Sequence, residues 1–168
     1  MIKPFDFYFD FVSPYSFLAH KEIRKIEKKN LIKIKYKPIL LGGLHNLHGI
    51  KAPAFIPAKA KHMIKDCKLI AEKNKTKFKF NSYFPIKSLN LMRGVIVADE
   101  DNFKNYYIDN IFNSIWQDGL NMNDENIFQK VLKNLNVNPK TFMLRISSSS
   151  IKESLKKRTS EAFEKSIF

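Results

Sequence analysis

Apolar residues occupy every odd position of Phe5-Asp6-Phe7-Tyr8-Phe9-Asp10-Phe11, all of them Phe. That period of two predicts a β-strand with one wholly aromatic face. A second alternating run, Ile32-Lys33-Ile34-Lys35-Tyr36-Lys37, predicts a strand with one buried face and one lysine-coated face. Between them the spacing turns helical over 14–29. Phe17, Leu18, Ile23 and Ile26 fall on an inward face, and Lys21, Arg24, Lys25, Lys28 and Lys29 on a wet one. Strand, helix and strand in that order predict a right-handed crossover between two parallel strands.

Beyond Pro38 the pattern becomes helical and stays so. Residues 57–74, 88–100, 102–118, 124–135, 139–147 and 149–165 each carry apolar residues three and four apart. The broadest stripe is Phe103, Tyr107, Ile108, Ile111, Phe112, Ile115 and Trp116, with Lys104, Asn105, Asp109 and Asn113 off it. A stripe of that kind faces a core rather than stacking bases. LGGLHNLHGI reads as a loop, and Ser147-Ser148-Ser149-Ser150 as a helix junction whose last serines cap the next helix. No internal repeat and no linker interrupts the chain.

Composition narrows the class. A 168-residue chain with 44% hydrophobic and 13% aromatic residues, 15 of them Phe, suits one packed domain over 1–168. The net charge of +14 favours acidic partners. Yet its cations are 26 Lys against 4 Arg, and arginine is the residue that reads bases and grips phosphates bidentately. A specific nucleic-acid role is therefore the less favoured alternative, since basic composition alone gives only non-specific attraction. Cys67 is the single cysteine, which excludes an intramolecular disulfide, a Cys-x-x-Cys pair and a cysteine-rich zinc site. Its neighbours Met63, Ile64, Ile70 and Ala71 at helical spacing predict a buried thiol. With no apolar run of about 18 residues and no signal-peptide order in MIKPFDFYFDF, the expected location is the cytoplasm, without a membrane partner.

The candidate chemistry lies where the first strand meets the first helix, at Ser13-Pro14-Tyr15-Ser16. Serine followed by proline is what the first two positions of a helix prefer, so a cap is the plain reading. Nucleophilic catalysis needs a base beside the hydroxyl, and the local sequence fixes none. His45 and His48 are three apart, but without Cys, Asp or Glu close by they do not make a zinc set. A serine at a helix N-terminus can also donate to an anion, where the helix dipole adds positive potential, an arrangement that holds a thiolate. No cysteine stands at this turn, so the thiolate would arrive on a ligand.

Five blocks in order, FYFDFVSPYSFLA, YKPILLGGL, HGIKAPAFIPAKAKHM, FKFNSYFPIKSLNLMRG and YIDNIFNSIWQDGLNM, resemble the 2-hydroxychromene-2-carboxylate isomerase family. That family is grouped with kappa-class glutathione transferases and DsbA-like thioredoxin-fold proteins. The resemblance implies an α/β fold: a thioredoxin-like βαβ over 1–40, a helical insertion over 41–148 and a return helix over 149–168. It further implies glutathione as cofactor, a small aromatic carboxylate as substrate and a homodimer. Ser13 would hold the glutathione sulfur as the catalytic and cofactor-binding residue, and Lys59 would meet a glutathione carboxylate. No metal is implied. Gly49-Ile50-Lys51-Ala52-Pro53 departs from the family's Gly-Asn-Lys-Pro-Pro, and Ile50 cannot make the hydrogen bond of that Asn. Relatives also continue past RTSEAFEKSIF into further strands of the thioredoxin sheet. The resemblance therefore implies a truncated product with reduced or absent activity, or an edge completed by a second chain. A kappa-type transferase is the alternative reaction.

Overall fold

The computed structural model describes residues 4–29 and 32–167. Residues 1–3, part of the N-terminal stretch considered above, residues 30–31 and Phe168 lie outside them. The first strand, β1, is Phe5–Phe9, and the second, β2, is Ile34–Pro38. They pair in parallel, Phe5 opposite Ile34 and Phe9 opposite Pro38. Among the described residues this is a two-stranded sheet. Helix α1, Pro14–Lys28, makes the crossover. Helices follow: α2 Leu41–Leu47, a single 3₁₀ turn Pro53–Phe55, α3 Pro57–Lys73, α4 Leu89–Glu100, α5 Lys104–Trp116, α6 Glu125–Asn134, α7 Pro139–Ile146 and α8 Ser149–Glu164. The expected βαβ unit with a large helical insertion is thus present. No helix among the described residues is long and apolar enough to cross a membrane.

Four local expectations need correction. The aromatic face of β1 is buried only from its middle onward: Phe9 and Phe11 are enclosed, whereas Phe5 is 60% exposed and Phe11 lies beyond the strand. Alternation tells which face a side chain takes, not how far the covering helices reach. Ile26, on the last turns of α1, is likewise exposed. The LGGLHNLHGI stretch is mostly helix α2 rather than loop, because Leu41, Leu44 and the chain turn at Leu40 outweigh the cost of two glycines. Ser148 is the N-cap of α8, but its hydroxyl meets Ser150 Oγ at 3.2 Å instead of capping a backbone N–H.

Helix α4 is the central support. Leu91, Met92, Gly94, Val95, Ile96, Val97 and Ala98 are all buried, so it is apolar almost all the way round, as a helix packed by neighbours on several sides must be. It packs against α5, α7 and α8 and reaches β2. Gly94 permits the closest of these approaches, since a Cβ there would lie 2.1 Å from Tyr107 Oη and 2.7 Å from Cζ. Tyr107 in turn donates to the Leu91 carbonyl at 3.0 Å.

A polar seam fixes α1 against α5. The buried His20 ring places Nδ1 2.9 Å from Tyr36 Oη and Nε2 2.9 Å from Asp109 Oδ1. Neutral His20 satisfies both if Nε2–H donates to Asp109 and Nδ1 accepts from Tyr36. Arg24 donates through Nε to Asp109 Oδ1 at 2.8 Å and through a terminal nitrogen to Glu27 at 2.8 Å, while its guanidinium lies over the Tyr36 ring. Burial holds His20 below its ordinary pKa. Burial pushes Asp109 upward, but the His20 and Arg24 hydrogen bonds outweigh it and hold the carboxyl below its ordinary value.

Candidate functional site

Ser13 sits where β1 gives way to α1, in extended conformation at φ −84° and ψ 115°. Its Oγ accepts from the Ser16 N–H at 3.1 Å, and Pro14 takes the first helical position. The cap is therefore real. It uses the oxygen as acceptor and leaves the hydroxyl hydrogen to donate elsewhere. No acidic residue occupies the first turn of α1, so the positive end of the helix is not neutralised there.

The hydroxyl opens onto a cleft of about 1190 Å³. Its walls are the end of β1, the first turn of α1, α2, the start of α3 and residues 84–89, whose Phe84–Pro85 peptide is cis. Most of this surface is apolar, from Val12, Ile39, Leu44, Phe55, Met63 and Ile86. Lys59, the third residue of α3, borders the cleft with an exposed side chain. The two residues singled out by sequence thus face one cleft. Ile50 is exposed and is not part of its wall.

Several wall residues carry chemistry that the sequence did not single out. His62 follows Lys59 by one turn and Lys87 comes from the 84–89 segment, both exposed to the cleft. The spacing of Lys59 and His62 was a usable signal: three residues apart on a helix, they share a face. Tyr15 borders the cleft and donates to Asp66 Oδ2 on α3 at 2.8 Å, tying the first turn of α1 to α3. His45 is buried in the wall and held below its ordinary pKa by burial and by the nearby His48. Among the described residues no group of three or more His, Cys, Asp or Glu side chains could hold a metal ion.

Asp10 is the least expected member. It lies in the cleft wall yet is 1% exposed. Its Oδ1 accepts from the Val12 N–H at 3.0 Å and its Oδ2 from the Leu41 N–H at 2.8 Å. Burial pushes this carboxyl above its ordinary pKa, against the influence of Ser88 and of those two N–H groups, which lower it. Cys67 is fully buried, and burial, then the neighbouring Asp66, push its thiol up to about 12, which makes it inert as a nucleophile.

A buried turn presenting a serine at a helix N-terminus, on a βαβ unit interrupted by helices, accords with the comparisons. The family model described as the DSBA-like thioredoxin domain matches residues 5–168. The chain belongs to that family. Within the DSBA-like family it is similar to the 2-hydroxychromene-2-carboxylate isomerase of Pseudomonas putida, 25% identical over 165 residues that cover 97% of this chain and 80% of that protein. It is also similar to glutathione S-transferase kappa 1 of Caenorhabditis elegans, 38% identical over 68 residues, 40% of this chain and 30% of that one. A solved 2-hydroxychromene-2-carboxylate isomerase superposes with a TM-score of 0.88 at 23% identity, covering 99% of this chain and 82% of its own. The resemblance carried by the five sequence blocks therefore holds. In this DSBA-like chain the turn carries Ser13 and Ser16 and no cysteine.

Proposed function

We propose that the chain binds glutathione with its sulfur at Ser13 and isomerises a small aromatic carboxylate of the 2-hydroxychromene-2-carboxylate type. The observation that carries this reading is the Ser13 hydroxyl, whose oxygen is occupied by Ser16 N–H and whose hydrogen is free to donate into an apolar cleft. The donor set fits glutathione: a neutral donor and a helix N-terminus for sulfur, a lysine for a carboxylate, and room for both cofactor and substrate. When bound, glutathione would supply a thiolate able to add reversibly to the conjugated double bond once the hemiketal C–O bond of the ring has opened, leaving a single bond that rotates before the thiolate departs.

The protein's own contributions follow from the wall residues. Ser13 donates to the sulfur and favours its anionic form, while the positive end of α1, with no acidic residue in its first turn, adds to that preference. Lys59 orients the cofactor through a carboxylate, and His62 and Lys87 are placed to take the carboxylate of the substrate. The apolar wall from Val12, Phe55, Met63 and Ile86 packs on the aromatic ring and excludes water from it. A kappa-type transferase reaction is the second reading, favoured by the local identity to the Caenorhabditis elegans protein. It uses the same sulfur site with an electrophile that keeps the sulfur.

Calorimetric titration of glutathione into the purified chain, beside Ser13→Ala and with a thermal melt of each, tests the reading. Saturable binding by the wild type, weakened about tenfold or more yet still saturable in a folded Ser13→Ala, is the expected result. No binding by a cooperatively melting wild type overturns it. Turnover of a chromene carboxylate, against conjugation of a simple aromatic electrophile, then separates isomerase from transferase.

A further inference from the structure

We propose that Asp10 is the positioning residue of the sulfur site, its carboxylate locking the Ser13 turn to the start of α2 and to Ser88 on the opposite wall. This rests on the glutathione reading above. Two main-chain donors from separate segments meet its two oxygens, Val12 N–H from the turn and Leu41 N–H from α2, and the Ser88 side chain preceding α4 adds a favourable interaction with the carboxylate. The Asp10 carbonyl accepts the Ser13 N–H at 3.1 Å, so the residue grips the turn by main chain and side chain together. Both main-chain groups of Phe11 are also held. Phe11 N–H faces Met92 Sδ at 3.4 Å, and the Phe11 carbonyl accepts from Trp116 Nε1 at 2.9 Å.

Asp10 itself is enclosed, so it acts on a ligand only through the placement of the Ser13 hydroxyl. A carboxylate offers one acceptor oxygen to each of the two N–H groups. An amide of the same size has one acceptor oxygen and would turn its NH₂ toward a backbone N–H or the Ser88 hydroxyl. Placement and charge make opposite predictions for that substitution. If Asp10 positions Ser13, removing its grip weakens the hydrogen bond to sulfur and raises the pKa of the bound thiol. If Asp10 acted mainly as a nearby negative charge, its removal would lower that pKa.

The test is an ultraviolet titration of the thiolate band of glutathione at saturation on wild type, Asp10→Asn, Ser13→Ala and the double variant. Asp10→Asn is expected to raise the thiol pKa by about one unit, a tenfold loss of thiolate at a fixed pH below it. In the Ser13→Ala background the same change is expected to add nothing, because the effect passes through Ser13. An unchanged or lowered pKa in Asp10→Asn, or an equal shift in both backgrounds, overturns the inference while leaving the glutathione reading intact. No thiolate band and no binding in wild type overturns the glutathione reading, and the inference with it. Should Asp10→Asn fail to fold, Ser88→Ala removes that side-chain interaction and keeps the carboxylate. Its expected shift has the same sign and is about threefold in thiolate fraction, and its absence counts against Asp10 equally.

Discussion

The seam between α1 and α5 and the wall beside Ser13 each enclose polar groups against one end of α1, and they satisfy them by different means. In the seam, Asp109 meets Arg24 and His20, a charged partner and a chargeable one, and its carboxyl is held below the ordinary value. In the wall, Asp10 meets only neutral donors, and burial leaves its carboxyl above the ordinary value. The seam resembles a catalytic relay of Asp, His and Tyr, yet the cleft wall does not include it. Its work is to fix the body of α1 against α5 and β2. A cluster of titratable groups and a site are therefore different things, and the distinction lies in what opens onto the cleft.

The largest expected effect tests whether the two regions share one support. Gly94→Ala would drive a Cβ into Tyr107 and Phe142 and cost about 3 kcal/mol or more, melting seam and wall in one transition. Separate transitions by circular dichroism would show that the regions are independent. Asp109→Ala sharpens the contrast next. It leaves buried His20 Nε2 without its acceptor and Arg24 without its main partner, for about 2 kcal/mol in a denaturant melt, with glutathione affinity of the folded protein unchanged. Ser13→Ala reverses the pattern: about 1 kcal/mol is lost with the helix cap, while glutathione affinity falls about tenfold or more.

The smallest effects are slopes of stability against pH, and they have opposite signs. Asp109 contributes stability above its ordinary carboxylate value that is lost as pH falls through its lowered folded value. His20, also lowered, contributes stability above the ordinary imidazole value that is lost as pH falls through its folded value. Asp10, raised, contributes stability fully present below its ordinary value and lost as pH rises through its folded value. Melts from about pH 3 to pH 8 should therefore show the wild type gaining on Asp109→Asn as pH rises and losing ground to Asp10→Asn. Parallel curves for the two variants would erase the distinction between the regions.

The βαβ start and most of the later helices were legible, because each carries one apolar face long enough to display its period. The α5 stripe is the clearest case: Tyr107, Ile108, Ile111, Phe112, Ile115 and Trp116 are all fully buried. Helix α2 was not legible, since seven residues with two glycines give too few turns to show a stripe. Ser13 could be read as a cap because serine before proline marks a helix start whatever the tertiary packing, and as a candidate site only through the family resemblance. Asp10 could not. In sequence it continues the polar alternation of Asp6 and Tyr8 just past β1, and Leu41 and Ser88, which meet it, lie far along the chain. Long-range convergence of that kind leaves no local trace.

Trp116 is the single tryptophan, and its indole N–H bonds to the carbonyl of Phe11, two residues before Ser13, while its ring stacks on Phe78. The molecule thus carries a built-in optical probe wired to the turn that would meet a ligand. Its emission reports that turn's hydrogen bonding from within an otherwise tryptophan-free chain, so ligand entry and loss of the fold can be followed separately without a label.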